Sequence, residues 1–112
     1  MPVHVGLSSW TDKSLISSGK FYPRKSMKSG ERLRFYTLFF DTAEVNASFY
    51  SFPAQSWIRN WIENTPPDFK FGIKAYSLLT FHPVHAPGMP AELKELLPDE
   101  IKKELPATWK AP

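Results

Sequence analysis

Polar and apolar residues alternate without a break along TAEVNASFY, residues 42–50. Ala43, Val45, Ala47 and Phe49 fall on one side of an extended strand. Thr42, Glu44, Asn46, Ser48 and Tyr50 fall on the other, because successive strand side chains point to opposite faces. The same period runs through VHVGLSSW (3–10), with Val3, Val5 and Leu7 against His4, Gly6 and Ser8. It returns in FKFGIKA (69–75), with Phe69, Phe71, Ile73 and Ala75 against Lys70, Gly72 and Lys74. Helical spacing fills the gaps. Over 30–41, Leu33, Tyr36, Thr37 and Phe40 share a face that Phe35 and Phe39 widen. Ser29 suits the N-cap of this helix and Glu31 its first turn. Over 54–64, following Pro53, Trp57, Ile58, Trp61 and Ile62 form a stripe that Pro66-Pro67 terminates. The Ser-, Gly- and Lys-rich segment before the first helix reads as a loop carrying Phe21-Tyr22-Pro23. After residue 75 a long loop, SLLTFHPVHAPG, leads to two short helical pieces, PAELKELL and PDEIKKEL, each opened by proline.

The order strand–helix–strand–helix–strand predicts parallel βαβ units, and no Asn-Gly or Asp-Gly hairpin signal interrupts it. Strands covered on both faces read as continuous apolar runs, and these three do not. A closed parallel barrel accounts for the pattern: apolar faces pack outward on helices while small and polar residues point inward. His4, Gly6, Ser8, Glu44, Asn46, Ser48, Gly72 and Lys74 would then face the interior. A barrel of this kind needs eight strands and about 250 residues, so the expected fold class is α/β, the N-terminal part of a TIM-barrel-like (β/α) fold. It comprises three parallel strands with intervening helices and a proline-rich helical tail. The expected division is 1–80 for the first βαβαβ part and 81–112 for a proline-rich loop and short helices, the chain being part of a larger domain.

Composition narrows the function classes. With 42% hydrophobic and 15% aromatic residues in 112, there is ample material for a core. The absence of cysteine excludes disulfides, thiolate metal sites and cysteine nucleophiles. No apolar run approaches the roughly 18 residues of a membrane span and MPVHVGLSSW has no signal-peptide pattern, so a cytoplasmic, soluble location is expected. Net charge is +3. Lys20, Arg24, Lys25, Lys28, Arg32 and Arg34 crowd into residues 20–34 against Glu31 alone. Read blandly, this is a solvated face; read functionally, it is a phosphate-contacting patch.

Up to Lys74 the residues resemble the domain of unknown function 72 family (YecE-like proteins). That family reads I-G-x-S-x-W, F-Y-P, then Y-x-x-x-F-x-T-x-E-x-N-x-x-F-Y-x-x-P, then W and T-P-x-x-F-x-F-x-x-K. Gly6, Ser8, Trp10, Phe21, Tyr22, Pro23, Tyr36, Phe40, Thr42, Glu44, Asn46, Phe49, Tyr50, Pro53, Trp61, Thr65, Pro66, Phe69, Phe71 and Lys74 occupy those positions in order. The resemblance implies a TIM-barrel-like fold with a polar cluster of Ser8, Trp10, Glu44, Asn46, Tyr50 and Lys74 at the barrel mouth. It implies no settled reaction. The family's later K-L-G-x-x-L-x-Q-x-P segment does not occur in the sequence.

Three functional readings follow. In the first, the barrel mouth binds or transforms a small polar or anionic molecule. Glu44 serves as general acid or base, and Lys74 as electrostatic stabiliser or, if desolvated, amine nucleophile. Asn46 and Ser8 orient the ligand, with Trp10 and Tyr50 as walls. Glu44 and Lys74 could equally form a buried pair that fixes register. In the second, the basic stretch with Phe21, Tyr22, Phe35 and Tyr36 interleaved binds nucleic acid or nucleotides. In the third, the chain is a truncated, non-catalytic piece whose open sheet edge is covered by the remainder of a barrel or by self-association. His82 and His85, with Glu92 downstream, fall short of the three or four converging ligands of a zinc site. No glycine-rich phosphate loop or other motif indicates a cofactor.

Overall fold

The structure, a computed structural model, describes residues 1–103 and 105–109. The chain divides into two compact units, Met1–Val45 with Ala54–Ile73, and Asn46–Pro53 with Lys74–Pro112.

The first unit holds a parallel sheet in the order β1 (Gly6–Leu7), β2 (Thr42–Val45), β3 (Lys70–Ile73). Gly6 pairs with Thr42 and Leu7 with Ala43, while Thr42 to Val45 run beside Lys70 to Ile73. Crossovers between these strands contain α1 (Lys13–Ser17) and α2 (Ser29–Tyr36), then α3 (Gln55–Glu63). The expected mixed α/β arrangement with three parallel strands is therefore present.

All three strands are shorter than the alternation suggests. The most informative case is β2, which stops at Val45. Asn46 turns to φ −81°, ψ −29°, and a 3-10 turn follows over Ala47–Phe49. Ser48, Phe49 and Tyr50 accordingly lie beyond the strand, not on its faces.

The helices show similar local corrections. Helix α2 begins at Ser29 with Lys28 as its cap, the Lys28 N–H donating to Glu31 Oε2 at 2.8 Å. Ser29 Oγ instead accepts the Trp10 indole N–H at 3.4 Å. Helix α1 lies within the presumed loop. Its cap is Asp12, whose carboxylate accepts from the Ser14 and Leu15 amides at 2.9 and 3.2 Å. Those bonds hold the Asp12 carboxyl below its ordinary value, the Ser14 hydroxyl contributing most.

The core of this unit lies between the sheet and its helices. Trp10, Leu33, Tyr36, Ala43, Val45 and Phe69 are buried, with Phe21, Phe40, Trp61 and Phe71 packed against them. Trp10 meets Trp61 edge-on at 5.6 Å and Phe71 at 6.0 Å. Phe21 contacts Phe35, Tyr36, Phe39 and Phe40 in turn, and edge-to-face pairs of this kind add to the burial of area. The stripe on α3 is only partly used: Trp61 packs inward, whereas Trp57, Ile58 and Ile62 remain exposed.

Two polar details lock strand to strand. Tyr36, with no exposed surface, accepts the Leu7 N–H at 2.6 Å and donates to the Thr42 carbonyl at 2.8 Å, fastening β1 to β2. Gly6 is required by close approach, since a Cβ there would lie 1.9 Å from the Thr42 carbonyl oxygen. At the N-terminal end of the sheet, Asp41 accepts the Val5 N–H at 3.2 Å and pairs with His4 at 2.7 Å.

In the second unit, Tyr76, Val84 and Met89 form a small core joined by Leu78, Leu93 and Leu97. Strand β4 (Val84–His85) pairs antiparallel with β5 (Thr108–Trp109), two strands absent from the expectation. Helices α4 (Ala91–Glu95) and α5 (Asp99–Lys103) fall within the two proline-opened segments, each shorter than expected. Glu104, in the second segment, lies outside the described residues.

Candidate functional site

The expected site residues are divided between the two units. Ser8, Trp10 and Glu44 belong to the first; Asn46, Tyr50 and Lys74 belong to the second.

In the first unit, β2 directs Ala43 and Val45 into the core and Glu44 to the opposite, exposed face. Gly72, its register partner on β3, is also exposed, so no side chain covers the backbone beside Glu44 from that position. The carboxylate is thus not the buried charge envisaged for a closed interior. Ser8 follows β1 directly and is exposed. Trp10 is 5% exposed and sits in the core with its indole N–H bonded to Ser29. Its ring is enclosed by Trp61 and Phe71.

In the second unit, the segment Asn46–Tyr50 and the start of the Lys74 segment are tied together. Ser48 is buried and its hydroxyl donates to the Lys74 carbonyl at 2.6 Å. The Lys74 side chain, exposed to solvent, sets its ammonium 5.0 Å from the centre of the Phe49 ring. Attraction between a cation and the ring quadrupole holds it there by about 0.5–1 kcal/mol at an exposed position. Tyr50 packs edge-on against Phe49 at 5.2 Å and is 67% exposed. Asn46 is half-buried at the start of the turn.

Two groups missed by the strand reading complete this arrangement. Phe49 is the platform for Lys74 and Tyr50, not a core residue on a strand face. The His82 ring meets the same Phe49 at 5.5 Å, with its Nδ1 2.8 Å from Thr80 Oγ1. The Thr-x-His spacing was visible in sequence, but nothing there distinguished it from an ordinary loop.

The aromatic residues interleaved with the basic stretch are occupied by packing. Tyr22 and Tyr36 are buried, Phe21 and Phe35 partly so. The Tyr22 hydroxyl donates to the Trp10 carbonyl, and burial pushes its pKa up to about 12, opposed by the charge of Arg32. Arg34 donates to Asn64 Oδ1 at 2.8 Å and Arg32 to the Lys25 carbonyl at 2.6 Å. Among the described residues no three His, Asp or Glu side chains converge as a metal site would require. No described helix is long and apolar enough to cross a membrane.

A mixed α/β chain with successive parallel strands, polar on the face away from the helices, is the class that the fold defines. The chain belongs to the family described as "Protein of unknown function DUF72", which matches residues 4–105. It is 32% identical over 103 residues to the UPF0759 protein YunF of Bacillus subtilis (strain 168). That alignment takes in 92% of this chain and 34% of the relative, so the chain spans about a third of the length of the curated relative it matches. No solved structure matches the chain.

Proposed function

We propose that the chain supplies the first three strand–helix units of a TIM-barrel-like binding site for a small polar or anionic molecule. Residues 1–80 would carry those units and 81–112 an insert. The observation that carries the reading is the parallel order β1-β2-β3 with its helix-free face lined by Gly6, Glu44 and Gly72. Ligands of parallel α/β folds sit at the carboxyl ends of the strands. Ser8 follows the end of β1, Asn46 the end of β2 and Lys74 the end of β3 in the sequence. The exposed Trp57, Ile58 and Ile62 on α3 suit contact with a further helix of such a barrel.

Within this reading Lys74 contacts an oxyanion, Glu44 exchanges or accepts a proton, and Ser8 and Asn46 donate or accept hydrogen bonds. Tyr50 offers a flat wall, and Trp10 positions the end of β1 from behind. Phosphate or carboxylate is the ligand chemistry that a lysine with neutral polar neighbours favours.

The test is titration of the 112-residue chain with inorganic phosphate, followed by amide chemical shifts, in separate Glu44→Gln and Lys74→Met variants. Lys74→Met should weaken binding about three- to fivefold, as expected for an exposed charge contact, with the melting temperature lowered by no more than about 4 °C through loss of the Phe49 contact. Glu44→Gln should alter phosphate affinity by removing like-charge repulsion. If both variants bind as the parent does and only the melting temperature moves, these residues are structural.

A further inference from the structure

Between β1 and α2 the chain displays cations on a loop that the fold holds in place. Tyr22 and Met27 are buried and pin the loop at two points, while Arg24, Lys25 and Ser26 between them are exposed. Arg32 of α2 donates to the Lys25 carbonyl at 2.6 Å, with its guanidinium 6.0 Å from the centre of the Tyr22 ring. At Gly19, φ 66°, the chain turns so closely past Lys25 that a Cβ would lie 3.5 Å from Lys25 Cε. The Lys25 stem therefore lies across the turn that leads into Lys20. Lys28 stands one helical turn before Arg32, whose N–H donates to the Lys28 carbonyl at 2.9 Å. These contacts gather residues 19–20, 24–25, 28 and 32 into one patch, on which Lys20, Arg24, Lys25 and Lys28 are exposed. Arg34 is engaged elsewhere, donating to Asn64 Oδ1 at 2.8 Å.

The charge of this patch is not neutralised from within. Among the described residues, no carboxylate lies within 4.0 Å of any of its cations. The two carboxylates nearest in sequence serve helix starts: Asp12 accepts from the Ser14 and Leu15 amides, and Glu31 from the Lys28 amide. Arg32 is half-buried, and its Nε is buried with no hydrogen-bond partner among the described residues. A guanidinium withdrawn from water without a counter-charge is costly, and an anion docked on the patch lowers that cost. Charges closer than a Debye length, about 10 Å at 0.1 M salt, act on a partner together.

We propose that this patch is a docking surface for the sugar–phosphate backbone of duplex nucleic acid, recognised by charge and not by base sequence. Several exposed cations on a fixed loop match a line of phosphates better than one isolated anion. Single strands gain much of their affinity by stacking bases on aromatic rings. Such rings are not on offer here: Tyr22 and Tyr36 are buried, and Phe21 and Phe35 pack on each other at 5.4 Å. An anionic membrane is the weaker match, because the loop's apolar side chains, Tyr22 and Met27, are buried in the protein and leave nothing to insert among lipids. The patch lies wholly in the first unit and is independent of the Lys74 reading.

The test is fluorescence anisotropy of a labelled DNA duplex of about 20 base pairs, titrated with the 112-residue chain between about 25 and 200 mM salt. Neutralising about three phosphates gives a slope of about −3 in log affinity against log salt, or about eightfold weaker binding for each doubling of salt. Lys25→Gln should make the slope shallower by about one, and Lys25→Gln combined with Lys28→Gln by about two. Arg59→Gln, which removes the same charge from an exposed position on α3, should leave the slope as it is. Equal losses from Lys25→Gln and Arg59→Gln would overturn the patch and leave net charge as the cause. Tighter binding of a single strand than of the duplex, or unequal binding of different duplex sequences, would overturn backbone docking. Absence of duplex binding at about 25 mM salt overturns the proposal, as does tighter binding to vesicles of phosphatidylserine and phosphatidylcholine than to the duplex.

Discussion

Replacing Tyr36 by phenylalanine removes one oxygen from a side chain with no exposed surface, and with it both bonds that fasten β1 to β2. Each neutral hydrogen bond contributes about 1 kcal/mol net, and the ring itself still fills its place. The expected loss is about 2 kcal/mol, approaching 3 if the Leu7 N–H and Thr42 carbonyl stay partly buried without new partners. For a domain of this size that corresponds to about 8 °C in melting temperature. Urea unfolding should show the lower midpoint with an unchanged slope, since the surface exposed on unfolding is the same. The Leu7 amide should exchange with solvent about thirtyfold faster wherever exchange follows opening of that bond. The phenol adds a signature in alkali. Burial raises the Tyr36 pKa above its ordinary 10.0, with the Leu7 amide opposing and the Asp41 charge adding a smaller rise. Folding therefore favours the neutral phenol, and that contribution is complete below pH 10 and lost as pH rises through the native value. The variant should have a shallower alkaline limb. A loss under about 0.5 kcal/mol would refute the view that this hydroxyl joins the strands. Tyr76→Phe is the natural contrast: its hydroxyl is buried with no partner among the described residues, so its removal should be neutral or mildly stabilising.

Gly6→Ala should destabilise by more than about 3 kcal/mol or detach β1, because the added Cβ meets Thr42 backbone at 1.9 and 2.7 Å. Gly72→Ala, with nearest atoms at 3.8 Å, should unfold within about 1 kcal/mol of the parent, and chemical denaturation of the two variants decides. Asp41→Asn should lower the melting temperature at pH 7 and flatten the acid limb. The His4 hydrogen bond, helped by the Val5 amide, holds the Asp41 carboxyl below its ordinary 3.8 against a modest desolvation effect. Its contribution is present above that ordinary value and disappears as pH falls through the lower native one. A melting series from pH 7 to 2 giving parallel curves for parent and variant would count against the assignment.

The order of elements was legible because periodicity is a local property. Two-residue alternation in TAEV and FKFGI, and helical spacing around Leu33, Tyr36 and Trp61, suffice to specify strand, helix and parallel crossover. What alternation could not show was where β2 ends. A polar–apolar pattern continues through Phe49, but a single 3-10 turn at Ala47–Phe49 is compatible with it, and the Ser48–Lys74 bond that accompanies the turn joins residues far apart in sequence. Helix α1 was missed, although Asp12 ahead of Leu15 and Ile16 is a recognisable cap. The β4–β5 pair was not legible at all, since two-residue strands separated by a long segment carry no period.

The residue types of the candidate site were likewise readable, and their surroundings were not. Sequence alone marked Ser8, Glu44, Asn46 and Lys74 as polar residues at or near strand ends, and it marked Trp10 as aromatic. Tertiary packing buried Trp10 among Trp61 and Phe71 and left Glu44 on the open face. It also brought Lys74, Tyr50 and His82 to one phenylalanine ring. Side-chain chemistry is encoded residue by residue, whereas burial and the direction of a hydrogen bond belong to neighbours that only the folded backbone supplies.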